Sequence, residues 1–147
     1  MNLTSHDHDF YAWTQEQAQL LRKGQFNQID FRNIAEEIED MGRSEKRELE
    51  SRLELLLMHL LKWQFQSNLR SRSWQLTIKE QRLRLEKLLA ENPSLKSFLA
   101  DSLEKIYQLA MISAERETGL SSFPESCPYS LTEIFTSEFL PDDIMYS

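Results

Sequence analysis

The segment from Ala35 to Gln66, AEEIEDMGRSEKRELESRLELLLMHLLKWQFQ, constrains the fold more than any other part of this chain. It opens as an acidic amphipathic helix and then turns apolar on almost every side. Leu49, Leu53, Leu56, Leu57 and Leu60 make a main stripe, while Leu55, Met58, Leu61 and Phe65 cover the remaining faces. A helix that is apolar all round has to be surrounded by other elements. This one is therefore expected at the centre of the fold, with His59 inside its apolar part.

Around that helix the composition leaves few choices. The 147 residues make a domain of common size, long enough to bury one sizeable core. Three Gly and four Pro are few, and good helix formers dominate. The expectation is an all-α, compact single-domain bundle over 1–147, with four to five main helices and an irregular C-terminal tail packed on it. A net charge of −7 favours solubility and opposes non-specific attraction to nucleic acid or anionic membrane. No apolar run approaches the roughly 20 residues of a membrane span, and the start, MNLTSHDHDFYAW, lacks the basic flank and apolar stretch of a signal peptide. With Cys127 as the single cysteine, neither an internal disulfide nor a cysteine zinc cluster can form. These features fit a cytoplasmic location.

Local signals place the helices at about 9–23, 30–41, 44–66, 71–91 and 95–117, with a tail over 118–147. Asp9 is a fitting N-cap for the first helix and Gly24 a fitting end. Phe10, Trp13, Gln17, Leu20 and Leu21 share its stripe. Asp30 can cap the second, whose apolar face is Phe31, Ile34, Ala35, Ile38 and Met41. Gly42 either ends that helix or sits inside a longer one, at a cost of about 1 kcal/mol against Ala. The fourth carries Trp74, Ile78, Leu85, Leu88 and Leu89 on one face, and Leu76, Leu83 and Ala90 on the opposite side. The fifth, after Asn92-Pro93, aligns Phe98, Leu99, Leu103, Ile106, Leu109 and Ala110 and closes at Gly119. Ser130 and Glu133 match the capping box of a short helix at about 131–136.

Several residues invite a chemical reading. Glu36, Glu39 and Asp40 lie opposite Ile34 and Ile38 and read as a solvated face, partly answered by Arg43 and Arg47. Glu37 sits on the flank of the apolar stripe, where it needs a cationic partner. The Glu-x-x-His pairs of di-iron bundles are absent, so no metal or other cofactor is expected. His59 would need an orienting partner and a substrate pocket to act as a general base; a core histidine needs only one hydrogen-bond partner. His6 and His8 read as parts of a frayed terminus. Residues 70–87 carry six bases and two acids, and residues 36–54 eight acids and four bases. Opposed charge of this kind suits pairing inside the domain or across a dimer. The sharper alternative is nucleic-acid binding by the basic helix 70–87, with Trp74 as a stacking ring. Cys127-Pro128-Tyr129 has no neighbouring base to lower a thiol pKa and reads as inert.

Six blocks extend these observations to a family. Asp9-Phe10-Tyr11-Ala12-Trp13, Ala35-Glu36-Glu37-Ile38-Glu39-Asp40-Met41-Gly42 and His59-Leu60-Leu61-Lys62-Trp63 come first. Arg72-Ser73-Trp74, Asn92-Pro93-Ser94-Leu95 and Cys127-Pro128-Tyr129 carry the pattern over nearly the whole chain. In order and spacing the chain resembles domain of unknown function family 29, found chiefly in cyanobacteria and other bacteria. The resemblance implies an all-α bacterial protein and brings no catalytic residue. The leading functional expectation is a non-catalytic module that self-associates or holds a partner protein, using the stripe Leu76, Leu83 and Ala90. The alternative is an enzyme or ligand-binding protein with a polar pocket near Glu37, His59, Arg72 and Trp74. No membrane association is expected, and a nucleic-acid partner is the least favoured of the three.

Overall fold

The computed structural model describes residues 3–142; Met1, Asn2 and residues 143–147 of the expected tail lie outside them. The described chain is all-α: α1 (Phe10–Lys23), α2 (Phe31–Phe65), α3 (Arg72–Glu91), α4 (Leu95–Thr118) and the short α5 (Leu131–Phe135). Single 3₁₀ turns at Phe26–Gln28 and Ser67–Leu69 join the first three.

Local chemistry sets most boundaries. Asp9 accepts the Ala12 N–H at 3.0 Å and starts α1. Gly24 ends it in the left-handed region at φ 70°, which costs glycine nothing. Ser71 accepts the Trp74 N–H to start α3, and Ser130 with Glu133 forms a complete capping box on α5. Gly119, at φ 76°, closes α4.

The helices expected at 30–41 and 44–66 are one. α2 runs 35 residues without a break. Gly42 lies within it, with open space where a side chain would be. A single glycine removes about 1 kcal/mol, too little to interrupt a helix whose later turns are held by burial.

The chain divides into two compact units, Met1–Ser44 and Glu45–Ser147. In the second, Leu49, Leu53, Leu56, Leu57, Leu60 and Leu61 of α2 are fully buried. They pack in one core with Ile78, Leu85 and Leu88 of α3, Leu99, Ile106, Tyr107, Ala110 and Ala114 of α4, and Phe123, Tyr129 and Ile134 of the tail. The tail is tied down by polar contacts as well. Tyr107 donates its hydroxyl to Pro124 O at 2.5 Å, and Tyr129 donates to Gln64 Oε1 at 2.8 Å.

Arg82 ties the tail at three points. Its side chain is buried, and it donates Nε–H to Ile134 O at 2.7 Å. Its two terminal nitrogens reach Ser137 O and Glu133 O, each at 3.3 Å. A guanidinium thus closes the C-terminal end of α5, where free carbonyls favour a cation. Arg82 belongs to the basic run 70–87, whose charge was expected to pair with acids inside the domain or across a dimer, or to bind nucleic acid. It is an internal clamp instead.

The first unit follows another plan. Trp13, Gln17, Leu20 and Ile29 are buried in it, and polar contacts tie it together. Asp30 accepts the Trp13 indole N–H at 3.0 Å and the Asn33 side-chain N–H at 2.8 Å, while its own backbone N–H goes to Gln17 Oε1 at 2.8 Å. The apolar face of α2 in this unit is largely open: Phe31, Ile38 and Met41 are 61%, 58% and 61% exposed, while Ile34 is half-buried.

Candidate functional site

His59 is held by its own helix. Its Nδ1 lies 3.0 Å from Leu55 O, one turn earlier. A carbonyl only accepts, so Nδ1 carries the proton and Nε2 presents its lone pair. Half-burial pushes the His59 pKa down; the nearby Lys62 charge adds to this, and the Leu55 hydrogen bond opposes it. The ring is therefore neutral at pH 7.

Beside it, Lys62 donates to Glu117 Oε2 at 2.7 Å and sits 4.7 Å above the Trp74 ring. His59, Trp74 and this ion pair thus form one neighbourhood of α2, α3 and α4. Trp74 is half-buried under the lysine rather than presented as an open stacking ring.

Arg72 belongs elsewhere on α3. It is exposed, bonds Gln75 Oε1 at 3.2 Å, and lines a cleft of about 240 Å³ between α3 and the tail. Lys79, Arg82, Glu86 and Glu138 also line that cleft, so its charges of both signs are nearly balanced. The stripe Leu76, Leu83 and Ala90 is exposed along the same helix.

Glu37, the fourth residue of the expected pocket, lies in the first unit, and its partner is not an arginine. His6 Nε2 meets Glu37 Oε1 at 2.7 Å, and His6 Nδ1 meets Asp7 Oδ1 at 2.8 Å. Both acceptors are carboxylates, so both bonds form together only when the ring carries two protons. The Glu37 bond, followed by the Asp7 bond, accordingly raises the His6 pKa above the usual 6.5. The ring stands edge-on to Phe10 and Trp13, at centroid distances of 5.3 and 4.7 Å. Thr4 adds a second tether through its N–H and hydroxyl to Glu16, both at 2.8 Å. His6 is thus a built-in contact of the first unit, not part of a frayed end. Its bond partner lies 31 residues away, and no spacing pattern announces such a pair.

The remaining acids behave as read. Arg43 pairs with Asp40 and, at 3.7 Å, with Glu39 on the exposed face of α2. The Cys127 thiol is half-buried, pushed up by burial, and bonded to Tyr129 O at 3.3 Å. Among the described residues, no group of three His, Cys, Asp or Glu side chains could hold a metal ion. No helix among them is long and apolar enough to cross a membrane.

Comparison with known proteins adds one finding. No curated protein and no solved structure matches the chain. The profile described as domain of unknown function DUF29 matches residues 5–140. The six sequence blocks fall within that span, and the chain belongs to the DUF29 family.

Proposed function

We propose that this protein is a non-catalytic interaction module that recognises protein surfaces through helix faces left open in its fold. One observation carries the reading: large apolar side chains recur at helical spacing on exposed faces, Phe31, Ile38 and Met41 on α2 and Leu76 and Leu83 on α3. Scattered surface leucines are ordinary, but contiguous apolar faces bordered by charge mark association surfaces. The stripe Leu76, Leu83 and Ala90 runs between Arg72, Lys79 and Lys87, which would set the register of an acidic partner face.

Two other readings have less support. Nucleic-acid binding by the basic helix loses Arg82 to the interior and Arg84 to an ion pair with Glu80 at 3.1 Å. A ligand-binding role rests on the neutral His59 beside Trp74 and on the cleft at Arg72, which are separate places on the second unit. Small acidic or amphipathic ligands that perturb the His59 ring signals in NMR would favour that alternative.

The interaction reading is tested by paired variants, Phe31→Glu with Ile38→Glu and Leu76→Glu with Leu83→Glu. Sedimentation velocity of the pure protein and capture of partners from the source cell give the readouts. At least one pair should abolish an association that the wild type makes, with helicity unchanged. A wild type that stays monomeric at high concentration and retains no protein that either pair releases would end the reading.

A further inference from the structure

The cleft between α3 and the tail is charged at both ends and apolar between them. Arg72, Lys79 and Glu86 line it at seven-residue spacing, which places them nearly in one row along α3. Lys79 and Glu86 stand about 10 Å apart along the axis, too far to pair with each other. Ile78, Leu83 and Leu140 supply the apolar lining, with Ile78 fully buried.

The charges are sorted by sign. Arg72 and Lys79 lie toward the start of α3, where no acid lines the cleft. Glu86 follows two turns later, and it and Glu138 of the tail both support the charge on Arg82 that burial opposes. The acids thus gather around that guanidinium and outnumber it. Arg82 directs its own bonds to three carbonyl oxygens and pairs with neither acid. Among the described residues, the side chains of Lys79, Glu86 and Glu138 have no hydrogen bond or ion pair, and Arg72 has only Gln75. Glu80 and Arg84, which do not line the cleft, pair with each other at 3.1 Å. Single unpaired surface charges are ordinary; unpaired charges of opposite sign at the two ends of one apolar cleft are complementary to a ligand that carries both.

We infer that this cleft seats a short extended segment of a partner protein that carries an acidic, an apolar and a basic residue in sequence. The acid meets Arg72 and Lys79, the apolar side chain enters between Ile78, Leu83 and Leu140, and the base meets Glu86 and Glu138. The inference rests on the interaction reading above and names the part of the partner that α3 takes, since Leu83 belongs to both the open stripe and the cleft. A helix, about 10 Å across, is too wide for a cleft of about 240 Å³. An extended chain advances about 3.3 Å per residue and sends alternate side chains the same way. Acid, apolar and base at alternate positions therefore span the row. With one anchoring side chain, the binding is expected to be weak.

An NMR titration of the full chain with the peptide Glu-Thr-Leu-Thr-Lys, acetylated and amidated, tests this. The peptide should bind saturably, with a Kd near or below about 1 mM, and shift the methyl signals of Ile78, Leu83 and Leu140. Serine in place of its leucine should weaken binding at least about fivefold. Lys79 and Glu86 are exposed, so both can be reversed without disturbing the core. Lys79→Glu should turn the preference toward Lys-Thr-Leu-Thr-Lys, and Glu86→Lys toward Glu-Thr-Leu-Thr-Glu. An exchange of preference requires contact with the ligand and is not produced by misfolding. No saturation at several millimolar, shifts confined to another surface, or equal binding of all the peptides overturns the inference. If the peptides fail while Leu76→Glu with Leu83→Glu still releases an association of the wild type, the interaction reading survives without this segment. If no association exists either, both fall.

Discussion

The two units solve the same problem with opposite materials. Glu45–Ser147 is organised by volume: six leucines of α2 are sealed among α3, α4 and the tail, and polar contacts are added at the edges. Met1–Ser44 is organised by hydrogen bonds. Asp30 collects Trp13, Asn33 and Gln17, His6 collects Glu37 and Asp7, and much of the apolar surface faces out. A buried leucine cannot be used for anything but packing. An exposed one is available to a partner, at the cost of leaving its own unit to be held by directional bonds that each contribute only about 1 kcal/mol. The contrast sets a core sealed by volume in one region against polar ties and exposed apolar side chains in the other.

Substitutions can break that contrast, and the largest effect is expected in the second unit. Leu56→Ala should destabilise by about 2–5 kcal/mol, since it opens a void in a sealed core. Leu20→Ala, among the few buried apolar residues of the first unit, should fall at or below the low end of that range; equal costs in thermal or urea unfolding would erase the distinction. Next is Arg82→Met, which keeps the bulk but removes the guanidinium's bonds to the carbonyls of Ile134, Glu133 and Ser137. A loss of about 1–3 kcal/mol is expected, with faster proteolysis confined to the tail after Leu120. Asp30→Ala should cost about 1–2 kcal/mol, because it removes an N-cap and orphans the Trp13 indole. The indole fluorescence would shift with it. Gly42→Ala goes the other way, stabilising by about 0.5–1 kcal/mol, since the site is helical and open.

The smallest effects are those of pH, and they separate the units by sign. His6 binds protons more tightly in the folded state, so its contribution is complete below about 6.5 and is lost as pH rises through its elevated pKa. His59 binds them less tightly when folded, so its contribution is present above about 6.5 and declines as pH falls toward its lowered pKa. Thermal melts of His6→Ala and His59→Gln against the wild type, at pH 5.5 and 8, should therefore diverge in opposite directions. Parallel pH profiles for the two variants would contradict the assigned hydrogen bonds.

What the sequence disclosed, and what it withheld, follows the range of the forces involved. Asp9, Gly24, Ser71, Gly119 and the Ser130–Glu133 box act within one helical turn, and their placement could be read directly. The central stripe of α2 was equally legible, because an all-apolar helix has only one environment available. The continuity of α2 through Gly42 was not, since a cost near 1 kcal/mol leaves the outcome to the rest of the fold. Arg82 carries the same residue type as its solvated neighbours, and only the docking of a tail some 50 residues later buries it. His6 and Glu37 likewise meet across 31 residues. Most telling is the face of Phe31, Ile38 and Met41. Periodicity identified it as an apolar face but not how much of it is buried, and among the described residues Phe31, Ile38 and Met41 are exposed while Ile34 is half-buried. Of the expected pocket, His59 and Trp74 share Lys62 as a neighbour, Arg72 lines the tail cleft, and Glu37 serves the first unit.

The clamp at Arg82 also has a kinetic meaning. A five-residue helix has no independent existence in water, so α5 forms only when it reaches a guanidinium fixed on α3. The contact spans 52 residues and brings together the last part of the described chain to be synthesised. Closing so long a loop comes after the local helices have formed. Tail docking thus belongs to the late side of the folding barrier, and weakening it should hasten unfolding while leaving the folding rate nearly untouched. Arg82 would then act as a brake on opening, setting how long the leucine core stays sealed once it is made.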